Sequence, residues 1–237
     1  MAVRDKLDIS TYFVVGPENV KGHPVADVIS AVVEAGFTCI QIRSKVISAQ
    51  ELIQLTSQAA DVISEAGKSD KVTLLVNDRL DVVLAALEQG IKVDGIHVGQ
   101  TDIPVDVCRK YLGSDAIIGL SARTHELSAY IQTADVSQID YFGIGPLRET
   151  ATKPDCGLGL DGKVITKSFE EIKKLAEISP VPLVVGGGVK LSDISLLAQT
   201  GVGGFFVVTA ISEAEDPKTS AIELATAWKS SKERCSS

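Results

Sequence analysis

Two aspartates and a set of basic side chains stand where short apolar runs of this chain come to an end. Asp78 follows VTLLVN, Asp102 follows GIHVGQT, and Arg43 and Lys45 follow CIQI. A longer stretch, Tyr141 to Asp155 (YFGIGPLRETATKPD), opens as an apolar strand and turns at Gly145-Pro146. It then presents Thr150, Thr152 and Lys153. A strand, a Gly-Pro turn, then hydroxyls and a cation bring hydrogen-bond donors to an anionic ligand at the end of a sheet. Two carboxylates (Asp78, Asp102) with three cations (Arg43, Lys45, Lys153) suit a diphosphate. A magnesium ion held by one or two carboxylates is completed by the substrate's own phosphates. Farther on, Gly186-Gly187-Gly188 and Val208-Thr209 follow two more apolar runs. Bare backbone N–H groups there can approach the oxygens of a phosphate, which makes Gly187, Gly188, Val208 and Thr209 candidates for a monophosphate.

These residues need a frame that gathers them. Strand-like runs are expected near Tyr12–Val15, Thr38–Arg43, Val72–Val76, Gly95–Val98, Ile117–Leu120, Tyr141–Ile144, Leu183–Val185 and Phe205–Val208. Helical patterns fall between and after them, at Pro24–Ala35, Ala49–Glu65, Leu80–Gln89, Val105–Tyr111 and His125–Thr133, then Phe169–Ile178, Leu191–Gln199 and Thr219–Lys229. Ser48 with Glu51, and Ser192-Asp193, read as helix caps; Gly36, Gly90, Gly113 and Gly201 read as helix stops. Eight strand–helix units of short period, without a GxGxxG turn, predict a single (β/α)8 TIM barrel rather than an open doubly wound sheet. One domain over 1–237 is expected, with frayed ends near 1–10 and 230–237.

In such a barrel the chemistry collects where strands end. Gln41, Arg43 and Lys45 alternate, so an extended chain points them the same way. Asn77-Asp78-Arg79 ends the third run, Gly99 to Asp102 the fourth, and Ser121 closes the fifth. Each has a plainer reading: Asn-Asp as a helix cap, the glycines as a tight turn, Arg43 and Lys45 as solvated charges. Their convergence on one rim favours function, with two phosphorylated ligands facing each other. No nucleophile–base pair stands out. His97 lies inside a strand and reads as a packed, hydrogen-bonded histidine; His125 opens a helix and His23 precedes a proline. Cations and a metal without a base point to departure of a diphosphate, stabilised by preorganised charge.

The bulk numbers narrow the class. At 237 residues and 45% hydrophobic the chain buries a sizeable core, and its formal charge of −8 argues against nucleic acid or an anionic membrane as partner. No membrane-spanning run and no signal peptide is visible, so the cytoplasm is the expected compartment. Cys39, Cys108, Cys156 and Cys235 are too scattered for a C-x-x-C motif, and Cys39 reads as a buried thiol. Oligomeric state is left open.

The ordered set QIRSK, NDR, DGIHVGQTD, a serine after the fifth strand, GPLRETATKPD, GGG and VVTAIS closely resembles the thiamine phosphate synthase family, also called thiamine monophosphate pyrophosphorylases, from about Tyr12 to Trp228. The resemblance implies a (β/α)8 barrel that joins 4-amino-5-hydroxymethyl-2-methylpyrimidine diphosphate to 4-methyl-5-(2-phosphoethyl)-thiazole with Mg²⁺. By motif, Gln41, Arg43, Lys45, Asn77 and Lys153 would hold the pyrimidine diphosphate, with Ser121 beside it and Asp78 and Asp102 on the metal. Thr150 and Thr152 would meet the thiazole phosphate, with Gly187, Val208 and Thr209 completing that pocket. Lys153, Ser121 and Arg43 are the residues expected closest to the chemistry. Two departures stand out: the Asp78–Asp102 segment is longer than the family pattern, through EQGIKV, and Arg123 replaces the histidine of the related thiazole tautomerases. Arginine stays protonated, so it cannot shuttle that proton, although His125 is near. A tautomerase and a non-catalytic thiamine-phosphate binding protein are the competing readings.

Overall fold

The computed structural model describes residues 4–122, 126–149 and 163–236. Short apolar runs form parallel strands that close into a barrel in chain order. They are β1 (Thr11–Val15), β2 (Cys39–Ile42), β3 (Thr73–Asn77), β4 (Gly95–Val98), β5 (Ile117–Ser121), β6 (Tyr141–Ile144), β7 (Leu183–Val185) and β8 (Gly204–Val207). Tyr12 pairs with Phe206, so β1 meets β8 and no sheet edge is left open. The helices around it are α1 (Val25–Glu34), α2 (Ala49–Glu65), α3 (Leu80–Glu88), α4 (Val105–Leu112), α5 (Leu127–Thr133), α6 (Phe169–Ile178), α7 (Ile194–Gln199), α8 (Thr209–Ser212) and α9 (Pro217–Ser236). The architecture is the expected (β/α)8 barrel.

Two-residue alternation along the strands divides the core. Phe13, Val15, Ile40, Ile42, Leu74 and Val76 face outward and pack under the helices in one cluster. Tyr12, Val14, Cys39, Leu75, Ile117, Tyr141 and Val184 fill the bore in another. Each buried side chain of this size contributes about 1.5–3 kcal/mol relative to exposure, so a continuous outer sleeve is what fastens helices to the barrel. Inside, bulky rings are matched by glycines on, or just past the end of, neighbouring strands. A Cβ on Gly119 would stand 2.1 Å from Cζ of Tyr141, and one on Gly186 would stand 2.0 Å from the Phe206 ring.

Local signals explain most boundaries. Ser48 and Glu51 form a reciprocal capping box before α2, and Ser168 with Glu171 repeats it before α6. Gly36 and Gly201, at φ 93° and 84°, end helices in the left-handed region. One expectation changes, and the described residues near both ends of the chain are held in place. Ser192-Asp193 is no side-chain cap for α7: a 3₁₀ turn, Leu191–Asp193, precedes the helix, and Asp193 receives the N–H of Lys190 and the guanidinium of Arg148. The segment expected to fray near 230–237 is helical through Ser236; Ser231 is buried and Lys232 donates to the carbonyl of Val202 at 3.0 Å. At the other end, Arg4 Nε donates to Asp140 at 2.5 Å, and Asp140 also receives Arg109, so the chain is tied down before β1 begins.

Candidate active site

One arc of the barrel mouth is built by β2 to β5. Asp78, directly after β3, takes the left-handed conformation at φ 61°, which aspartate tolerates better than most residues. Its N–H donates to the carbonyl of His97 at 2.8 Å, which ties the backbone of Asp78 to β4. Onto Oδ2 of that carboxylate come the ammonium of Lys45 and, at 2.5 Å, the side-chain amide of Asn77. Lys45 is itself steered, because its backbone N–H donates to Glu18 at 2.9 Å in the turn after β1. Arg43 is half-buried just past the end of β2.

Asp102 comes from the loop after β4. The N–H of Gly99 donates to its Oδ2 at 2.8 Å, and a Cβ on Gly99 would crowd that same oxygen at 2.8 Å. The carboxyl of Asp102 is pushed above the usual carboxylate range, first by burial and then by the hydrogen bond to Asp78 and by its charge. Two acids held this close repel each other unless a proton or a cation lies between them. Among the described residues there is no cluster of three or more His, Cys, Asp or Glu side chains fit to hold a metal. What the mouth offers instead is a pair of hard oxygen donors beside an ammonium.

Strands β7 and β8 lie four places round the barrel from β3 and β4, hence on the opposite arc. There Gly187 and Gly188 take φ 81° and 73°, and Cβ atoms on them would meet Pro146 Cβ at 2.4 Å and Arg148 Cβ at 2.9 Å. The carbonyl of Gly187 accepts from the N–H groups of Leu147 and Arg148 at 2.9 and 3.1 Å, so the segment after β6 lies directly on the glycine turn. Among the described residues no acceptor takes the N–H of Gly187, Gly188 or Thr209. Val208 is the half-buried residue that opens the short helix α8, a helix not foreseen in the sequence. Thr150, Thr152 and Lys153, together with Arg123, His125 and Cys156, lie outside the described residues.

Below the rim, polar side chains are linked through the bore. Gln41 Nε2 donates to Tyr12 OH at 2.6 Å, Tyr12 OH meets Tyr141 OH at 2.9 Å, Tyr141 OH meets His97 Nδ1 at 2.9 Å, and His97 Nε2 meets Ser121 Oγ at 3.0 Å. His97 is thus packed and hydrogen-bonded as its place in a strand suggests. Sequence reasoning passed over both tyrosines. The signal that could have found them is register: Tyr12 with Gln41, and His97 with Tyr141, have the inward parity of their strands.

Strand ends that bring an acid pair and a lysine to one arc of a closed parallel barrel, and a glycine turn to the other, define a (β/α)8-barrel enzyme with its polar groups gathered at one rim. The sequence model of the family described as Thiamine monophosphate synthase matches residues 11–211, and the chain belongs to that family. It is 38% identical over 230 residues to the thiamine-phosphate synthase of Corynebacterium efficiens, covering 95% of this chain and 98% of that one. To the enzyme of the same name from Corynebacterium jeikeium it is 38% identical over 96% of this chain and 98% of the other. The solved structure of a thiamine phosphate pyrophosphorylase from Pyrococcus furiosus superposes with a TM-score of 0.76 at 25% identity, covering 97% and 98% of the two chains. This is a transferase of thiamine biosynthesis.

Proposed function

We propose that the chain joins 4-amino-5-hydroxymethyl-2-methylpyrimidine diphosphate to 4-methyl-5-(2-phosphoethyl)-thiazole, releasing diphosphate and thiamine phosphate. The observation that carries this reading is the meeting of Asp78 and Asp102 beside Lys45, opposite a glycine turn whose N–H groups have no acceptor among the described residues. An acid pair of oxygen donors fits magnesium, which takes one or two carboxylates and leaves its remaining positions to water and phosphate oxygens. Bound there, magnesium would supply positive charge against the charge growing on the departing diphosphate.

The residues of the chain do the rest. Arg43, Lys45 and Lys153 neutralise the diphosphate, while Gln41, Asn77 and Ser121 orient the pyrimidine end. Gly187, Gly188, Val208 and Thr209, with Thr150 and Thr152, hold the phosphate of the thiazole. The bond from the pyrimidine methylene carbon to the diphosphate oxygen breaks with its electron pair on oxygen. The lone pair of the thiazole nitrogen then forms the new C–N bond. No proton is removed from either partner, which agrees with a mouth that offers charge and donors rather than a base.

Mixing both substrates with and without Mg²⁺ and measuring thiamine phosphate and diphosphate tests the reading. Equimolar formation of the two products, abolished by EDTA, is expected. Thiazole isomerisation that persists in EDTA would replace the synthase by a tautomerase, and product binding without diphosphate release would replace it by a binding protein.

A further inference from the structure

The linked side chains in the bore have a direction. An amide N–H of Gln41 is spent on the oxygen of Tyr12. A phenol that accepts in this way has one hydrogen left to give, and Tyr12 faces Tyr141 OH. Tyr141, accepting in turn, has its single hydrogen for Nδ1 of His97. Both phenols keep their protons, since burial above all raises Tyr12 and Tyr141 far above the usual range for tyrosine. A neutral imidazole that accepts at Nδ1 carries its hydrogen on Nε2, and Nε2 faces Ser121 Oγ at 3.0 Å. With the hydrogens ordered in this sense, Ser121 receives a hydrogen bond from below. Its own hydroxyl hydrogen is left to point elsewhere, and among the described residues Ser121 Oγ has no other partner.

We propose that His97 is a positioning residue, locked as the Nε2–H tautomer by the Gln41–Tyr12–Tyr141 relay, so that Ser121 offers a hydrogen-bond donor to a lone pair on the pyrimidine diphosphate. The bore is shaped for this relay. A Cβ on Gly119 would strike Tyr141 at 2.1–2.5 Å, and one on Gly143 would stand 3.1 Å from Cε1 of His97. Glycines at those two positions leave the space the two rings occupy. Five side chains from five strands form the relay, so each bond also fixes the rotamers of its neighbours. A serine with its hydrogen already aimed needs no reorientation when an acceptor arrives.

The identity of the acceptor rests on the function proposed above; the tautomer does not, and the two are measured separately. The full chain, with ¹⁵N-labelled histidine, is examined without substrate by two-bond ¹H–¹⁵N correlation. Only three histidines need assigning. His97 is expected to show a pyridine-like Nδ1 and a protonated Nε2. A protonated Nδ1, an imidazolium, or two tautomers in exchange overturns the relay whatever the enzyme does. Tyr141→Phe removes the donor to Nδ1 and is expected to shift that pattern to a mixture of tautomers; an unchanged pattern counts against the relay.

Kinetics then test the consequence for Ser121. His97→Leu is expected to lower kcat/KM for the diphosphate substrate roughly tenfold, as loss of one aligned hydrogen bond would. His97→Gln, which can still donate from its amide, should recover most of that, and KM for the thiazole phosphate should stay put in both. An unchanged kcat/KM in His97→Leu overturns the proposal. A weaker Kd of inorganic diphosphate in His97→Leu assigns the acceptor to a phosphoryl oxygen, and an unchanged Kd assigns it to the pyrimidine ring; either upholds the donor role.

Discussion

Arg148 holds Asp193 with both terminal nitrogens, Nη1 to Oδ2 at 2.6 Å and Nη2 to Oδ1 at 2.7 Å, and so fastens the segment after β6 to the turn after β7. Burial alone would raise the acid of Asp193. The hydrogen bonds from Arg148 and the N–H of Lys190, with the charges of both residues, outweigh it and leave the acid below its ordinary value. A depressed folded pKa means stability that is fully present above the unfolded value of about 3.9 and is lost as pH falls through the lower folded value. Asp193→Asn should therefore be less stable than the parent near neutrality by about 1–2 kcal/mol, discounted because the Arg148 side chain is 42% exposed. The gap should narrow below about pH 4. Urea midpoints measured across that range check it, and a gap independent of pH would contradict it.

Asp78→Asn changes a charge while keeping a residue that accepts left-handed backbone at φ 61°. Loss of one preorganised electrostatic group should lower kcat/KM about 10²–10³-fold, or roughly 2.7–4 kcal/mol. The unfolding midpoint should move little by comparison. Diphosphate release at saturating Mg²⁺ is the measurement, and near-parental turnover would remove Asp78 from the site.

Gly187→Ala places a methyl against Pro146 at 2.4 Å on a residue whose φ is 81°. The crowding should cost about 1–3 kcal/mol of stability. Because the change falls on the arc away from Asp78, KM for the thiazole phosphate should rise while KM for the diphosphate substrate holds. Equal increases in both would mean that the glycine turn shapes the whole mouth rather than one ligand's end.

Removal of residues 231–237 should lower stability by about 1–2 kcal/mol, since it takes away the Lys232–Val202 hydrogen bond, the Lys232 cation–π contact and the buried Ser231. Lys232 donates to Val202 and stands 5.0 Å over the ring of Trp228, which in turn packs on Phe205 of β8. Chemical denaturation of the shortened chain gives the answer, and an unmoved midpoint would show the last turn to be idle.

The strands were legible because outward positions such as Ile40, Ile42, Leu74 and Val76 announce themselves as apolar, and because Gly36 or Gly201 mark where helices stop. The polar residues at strand ends were legible for the same reason, once a barrel was inferred. Lys45 on Asp78, and Asp78 against Asp102, follow from three loops being adjacent in the ring. What escaped was anything decided by pairs far apart in sequence. The capping reading of Asp193 failed because Arg148, 45 residues away, supplies a stronger partner than the helix does. The tail looked polar and loose, yet Ser231 is buried and the ammonium of Lys232 lies on the carbonyl of Val202 and over the ring of Trp228. Tyr12 and Tyr141 read as ordinary strand aromatics, since nothing local reveals that their hydroxyls meet.

Tyr12, Tyr141 and the inner apolar side chains that pack with them plug the tunnel from beneath. Anything seated above them reaches solvent by the upper opening alone. Arrival and departure thus share one doorway.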